Sequence, residues 1–280
     1  MAASHAWAFR ASFRRNAFGW SGTRKAIERL NEAVGEIKRM ARADPALAGE
    51  GAVLLLEKLS PAVNQIDSSS GALGNATNGV VEKMVPLIAA APMPRRVREK
   101  WLERLLDAIQ EDDPPYIESL GEHWGVLCAD PALASHWADQ LLPLMQLVMA
   151  DRRKGTYAYA KTETLCYSAL FHAGRFDDLL AVLALDPKPY WHDQQWAAKA
   201  LAARGDVDGA VNLMEGCAAA TRRTSRCRSW RSSCCWTPVV STRPMRGTAS
   251  KPRRRTPTSP PFAPSPNDTP ASSRVESSAT

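Results

Sequence analysis

Several signals are scarce in this chain of 280 residues, and each scarcity removes a class of protein. No apolar run approaches the roughly 18 residues of a membrane-spanning helix, and the first residues lack the continuous apolar stretch of a secretion signal. No membrane association and a soluble, cytoplasmic setting are the expectation. Cysteine is sparse in the body, where Cys128, Cys166 and Cys217 stand far apart without pairing or metal-ligand spacing, as suits reduced thiols. The five histidines, His5, His123, His136, His172 and His192, form no H-x3-H or H-E-x2-H pair, so a zinc site is not expected. No glycine-rich loop follows a strand, G-x-S-x-G is missing, and nothing alternates with period two over a strand's length. No catalytic, cofactor-binding or metal-ligating residue is assigned, no cofactor is expected, and an enzyme is not the preferred reading.

Negative charge is scarce in one region only. The formal charge is +7, but from Thr221 to Thr280 the chain holds 12 Lys+Arg against 2 Asp+Glu, leaving the first 220 residues slightly acidic. Three of the six cysteines and 9 of the 20 prolines lie in that same tail. Whole-chain composition therefore misdescribes the body.

What the body does contain is a repeated turn. Ala169-Leu170-Phe171-His172-Ala173-Gly174-Arg175-Phe176-Asp177-Asp178-Leu179 is echoed by Ala200-Leu201-Ala202-Ala203-Arg204-Gly205-Asp206-Val207-Asp208-Gly209-Ala210, with the two glycines 31 residues apart. In each copy an apolar helix runs into glycine, then a polar residue, an apolar plug and acidic residues suited to a helix start. The unit is a helix-turn-helix stacked on a copy of itself.

Upstream, the chain divides at its breaks. Residues 1–22 mix Trp7, Phe9, Phe13, Phe18 and Trp20 with Arg10, Arg14 and Arg15; docking of these aromatics on the first helices is the preferred reading over an RNA-stacking arm or a transit peptide. Residues 23–155 form a helical-hairpin domain. Ile27, Leu30, Val34, Ile37 and Ala41 define its first helix, which Asp44-Pro45 ends. A second carries Leu54, Leu55 and Leu59 and is expected to break near Pro61, before the polar loop Asp67-Ser68-Ser69-Ser70-Gly71. A third contains Val80, Val81, Met84, Leu87 and Ile88, with a kink expected at Pro86. Trp101, Leu105 and Ile109 mark a fourth, closed by Asp112-Asp113-Pro114-Pro115. Helices over Tyr116–Leu127 and Pro131–Met149 follow, then a charged turn over Asp151–Gly155. Residues 156–217 hold the repeat pair. The expected fold is all-α: antiparallel helical hairpins stacked as a short α-solenoid, each burying its apolar face on its neighbours, with a disordered C-terminal tail.

The turns resemble those of tetratricopeptide repeats. Gly174 and Gly205 with Phe176 and Val207 match the interhelix turn, and Ala210 matches the small residue of the second helix, where the first copy has Leu179. The small residue expected seven positions before the turn is Ala198 in one copy and Tyr167 in the other. More broadly, the serine-rich loop followed by helices and Ala-Gly-Arg hairpins is similar to a bacterial all-helical family known only as a domain of unknown function. That resemblance spans residues about 10–217 and implies no activity or site residues.

The tail, residues 218–280, reads as translation in a shifted frame. Joining the third base of each codon to the first two of the next leaves little freedom at Trp, Met and Cys. Cys234 into Cys235 and Cys235 into Trp236 must both give Leu, and Trp236 into Thr237 must give Asp. With GC-rich choices elsewhere, the overlap from Trp230 to Lys251 restores an Ala-Gly-Arg-Leu-Asp-Glu turn. Its glycine falls at the junction of Pro238 and Val239, 33 positions after Gly205. The alternative is a genuine basic tail.

The remaining constellations are weak. Glu118, Glu122 and His123 fall on neighbouring turns of one expected helix and could do acid-base work, although a solvated face is the commoner cause. His192-Asp193, between Trp191 and Trp196, reads as a helix start more readily than as a dyad. Arg95, Arg96, Arg98 and Lys100, with Arg152, Arg153 and Lys154, form two basic clusters read as solvated faces, with phosphate contact second. The expected function is a non-enzymatic interaction scaffold binding a peptide or protein partner. The alternative is nucleic-acid binding through the basic arm and tail.

Overall fold

The structure, a computed structural model, describes residues 5–221, with the backbone alone for 217–221. The tail carrying the frame reading lies almost wholly outside the described residues. Ten α-helices account for the body, and no strand occurs among the described residues. They are α1 (Thr23–Ala43), α2 (Pro45–Val63), α3 (Ala72–Ala90), α4 (Arg95–Gln110), α5 (Trp124–Cys128), α6 (Pro131–Arg153), α7 (Glu163–His172), α8 (Phe176–Leu183), α9 (Trp191–Ala203) and α10 (Val207–Thr221).

Local chemistry sets many of the boundaries. Asp44 and Asp130 each precede a proline at the first helical position and accept a backbone N–H of the first turn, from Leu47 at 2.9 Å and from Ala132 at 3.2 Å. The break expected near Pro61 does not occur. Pro61 sits in the last turn of α2, which continues to Val63, and the Pro61 carbonyl accepts the Asn16 N–H at 2.8 Å. Helix α3 contains Pro86 and runs on to Ala90. Residues 116–127 are not one helix: a 3-10 segment, Glu118–His123, leads into the short α5.

Helices α1, α2 and α3 pack on one another, α4 packs on α2 and α5, and from α6 onward each helix packs on its successor. One apolar core runs continuously from Trp7 to Ala200. The N-terminal arm belongs to it, with Trp7, Phe9, Phe13 and Phe18 all buried and successive rings in contact. Trp7 lies directly over Gly51 of α2, where any Cβ would collide with its indole. Trp20 is the exception to the docking expectation, standing 72% exposed.

Both repeat glycines end helices in the same way. Gly174 (φ +72°) donates to Phe171 O at 3.1 Å and Arg175 to Leu170 O at 2.9 Å, while Gly205 (φ +88°) donates to Ala202 O at 3.0 Å and Asp206 to Leu201 O at 2.9 Å. This is the Schellman pairing, which needs a left-handed residue and so favours glycine. The turns then differ. Asp206 caps α10 by accepting the Gly209 N–H at 2.9 Å, whereas Arg175 reaches Asp178 in its own helix and Asp139 on α6.

Candidate functional site

Close approach of backbones builds the ground under the site. Gly121 and Gly125 face α7 so tightly that a Cβ on either would strike Thr164 and Leu165, or Ser168 and His172. The buried Ser168 hydroxyl accepts the Gly125 N–H at 3.0 Å and donates to the Glu122 carbonyl at 2.9 Å. Small residues four apart thus let the 3-10 segment and α5 lie on α7, with polar groups satisfied at the contact. That seating holds Glu118 and Glu122 beside the starts of α7 and α9.

The result is a cleft of about 390 Å³ that brings together two groups widely separated in sequence. Glu118 and Glu122 line it with Glu163, His192 and Asp193, together with Arg152, Lys161, Tyr159 and Tyr190. His192 Nε2 stands 3.1 Å from Glu122 Oε1. The hydrogen bond to Glu122 raises the His192 pKa against a smaller effect of burial, and the same bond lowers that of Glu122. Glu118 accepts a hydrogen bond from the Tyr159 hydroxyl.

Beneath these, Arg152 is a half-buried hub. It donates to Asp186 Oδ2 at 2.7 Å, to Glu163 and to the Ala158 carbonyl at 2.9 Å. Burial works against its charge, but Glu163 and Asp186 outweigh it and raise its pKa. Burial pushes the Glu163 carboxyl up, against the pull of Arg152 and the Ala160 N–H. Asp193 is 7% exposed and is also raised by burial, against His192, Arg152 and the Tyr190 backbone N–H.

A second cleft, of about 460 Å³, adjoins the first and shares Arg152, Tyr159 and Tyr190 with it. Tyr157, 86% exposed, lines this side with Arg153, Pro187 and Lys188. These aromatics lie in the connectors before α7 and α9, outside the periodic helix faces. Tyr157, Tyr159 and Tyr190, large rings in connectors with no core face to join, are the signal the sequence offers for these clefts.

The other sequence candidates fall elsewhere. His123 does not line the cleft, and burial lowers its pKa. His136 pairs with Gln140 at 2.9 Å, His172 Nδ1 lies 2.9 Å from the Ser168 carbonyl, and His5 meets the Trp7 ring edge. The basic clusters are not simply solvated faces. Arg98 is buried, donating to the carbonyls of Ile88 at 2.9 Å, Ala91 at 2.7 Å and Leu127 at 3.1 Å, so it closes the ends of α3 and α5. Its pKa is lowered by that burial. Burial pushes the Cys128 and Cys166 thiols up to about 12. Among the described residues no group of three His, Cys, Asp or Glu is placed to hold a metal, and no helix is long and apolar enough to cross a membrane.

Compared with models of protein families, with curated proteins and with solved structures, the chain matches none.

Proposed function

We propose that the chain is a non-enzymatic helical-repeat scaffold that binds an extended peptide segment of a protein partner in the cytoplasm. Its C-terminal helices are read as a short tetratricopeptide-like solenoid, a reading supported by the paired Schellman turns and by the packing of α7 on α8 and α9 and of α9 on α10. The observation that carries the binding role is the pair of adjoining clefts divided by Tyr159 and Tyr190. Exposed aromatics between polar walls offer stacking area and orienting groups to a bound chain, the usual make-up of a peptide groove.

The test is selection from a random peptide library on the full chain. Enriched peptides whose binding is lost in a Tyr159→Ala/Tyr190→Ala variant are the expected result. No enrichment, or enrichment indifferent to both tyrosines, would overturn the reading.

A second reading, nucleic-acid binding, is favoured by Arg10, Arg14, Arg15, Lys58 and Arg104 lining one groove of about 730 Å³ on the arm. Glu57, Asp107 and Glu111 share its walls and weaken its attraction for phosphate. Binding of single-stranded RNA that collapses between low and physiological salt would support it.

A further inference from the structure

We propose that the second cleft, around Arg153 and Lys188, takes an oxyanion-bearing side chain of the bound peptide, a phosphorylated residue ahead of a carboxylate. The inference rests on the peptide-scaffold reading and adds the chemistry of the partner.

The polar groups of this cleft are unevenly engaged. Its one carboxylate, Asp186, is occupied on both oxygens: Oδ2 accepts from Arg152 at 2.7 Å and Oδ1 from the Lys188 backbone N–H at 2.8 Å. Arg152 is occupied in turn by Asp186, Glu163 and the Ala158 carbonyl. Arg153 and Lys188 differ. Arg153 donates only its Nε–H, to the Leu185 carbonyl at 2.9 Å, and among the described residues its two terminal nitrogens and the Lys188 ammonium meet no acceptor. Thr156, Tyr157 and Tyr190 line the same cleft, and their hydroxyls have no partner among the described residues. Every side chain left with hydrogen-bonding capacity can therefore donate, and two of them carry positive charge.

The seating of Arg153 is the second, independent observation. Its Nε–H is held by Leu185, so the guanidinium is fixed along one edge while the paired terminal N–H groups remain for a bidentate contact, the geometry that matches phosphate and carboxylate. The last turn of α6 favours a cation through the helix dipole, which accounts for Arg153 being basic. Lys188 lies in the connector between α8 and α9 and has no such cause.

Two positive charges without a carboxylate match a phosphomonoester, about −1.5 to −2 at neutral pH, better than the single charge of Asp or Glu. The exposed rings of Tyr157 and Tyr190 have electronegative faces, which suit the residues flanking the anion, while their hydroxyls can donate to it. Glu118 and Glu163, which would repel an anion, line the adjoining cleft and are engaged by Tyr159 and Arg152. The volume of about 460 Å³ holds one such side chain with its neighbours.

The experiment is calorimetric titration of the full chain with three blocked pentapeptides that differ only in a central phosphoserine, glutamate or glutamine. The phosphoserine peptide is expected to bind most tightly, with glutamate weaker and glutamine undetectable. Arg153→Gln and Lys188→Gln, both at exposed positions, should each weaken the phosphoserine peptide about tenfold or more, the loss expected for one charge-assisted hydrogen bond. Among the described residues the Lys188 side chain makes no hydrogen bond or ion pair, so its variant keeps the fold and reads the site alone. Equal binding of all three peptides, undetectable binding of the phosphoserine peptide, or phosphoserine affinity unchanged in both variants would overturn the proposal. So would an oligo-uridine that binds more tightly than the phosphoserine peptide and is weakened by the same variants, which would assign the cleft to nucleic acid. Library selection separates the two readings. Enriched peptides that depend on Tyr159 and Tyr190 but carry no acidic residue would sink the oxyanion site and leave the scaffold standing, whereas no enrichment together with no phosphoserine binding would sink both.

Discussion

His192 and Glu122 meet at 3.1 Å, joining the start of α9 to the 3-10 segment before α5. Because the pair raises the His192 pKa, its contribution is full below the unfolded histidine value near 6.5 and is lost as pH rises through the higher folded value. Because it lowers that of Glu122, the carboxylate's share is present above about 4.5 and is lost as pH falls through the lower folded value. Both windows overlap in mildly acidic solution. His192→Gln should therefore cost most near pH 5.5 and almost nothing near pH 8.5. Both side chains are more than a third exposed, so screening limits the effect to about 0.2–1 kcal/mol. Thermal midpoints of both proteins at the two pH values check this; a pH-independent difference would show that the pair contributes no charge term.

Arg152 should matter far more. Its partners Glu163 and Asp186 are about as enclosed as the guanidinium itself, so removing it leaves two carboxylates desolvated. Arg152→Met is expected to destabilise by about 3–5 kcal/mol. Adding Glu163→Gln should recover part of that loss by removing one orphaned charge. Urea titration of the single and double variants measures both effects, and a double variant no more stable than the single would refute the charge explanation.

The two repeat turns allow a cleaner comparison, because an added Cβ at Gly174 or Gly205 meets nothing within 4 Å. Alanine at either site should cost about 1–2 kcal/mol through backbone strain alone, and asparagine less. Similar costs in both turns are expected from denaturant midpoints. A large excess at one glycine would mean that the turns are not equivalent.

Helix α10 leaves Val207 and Val211 exposed, with Leu213 and Met214 half-buried. If the shifted frame once encoded another hairpin, restoring it should cover this side. At about 25 cal/mol per Å² of apolar area, such cover is worth a few kcal/mol. Thermal unfolding of the 280-residue chain against the frame-restored one tests this, beside the nucleotide sequence around codons 217–225. Equal midpoints, or a DNA sequence without the overlapping Leu-Leu-Asp, would show the tail to be a genuine segment.

Most of the helical architecture was legible from residues close together in the chain. Asp44-Pro45 and Asp130-Pro131 start helices by capping their own first turns, and Gly174 and Gly205 end them by entering a left-handed conformation. Burial of Leu30, Val34 and Ile37 follows from one helical period. Where neighbours in space decide, local rules failed. Pro61 does not end α2, because the helix has only its last turn left to complete and the Pro61 carbonyl finds Asn16. Arg98, in sequence one cation among several, is drawn inside by the carbonyls at two helix ends. The cleft itself belongs wholly to the tertiary structure. Glu122 and His192-Asp193 were each visible as titratable groups, but their meeting depends on Gly121 and Gly125 admitting α7 at backbone distance and on α9 packing against α7. A sequence displays short-range hydrogen bonds and periodic faces directly; which faces come together is set by packing of the whole core.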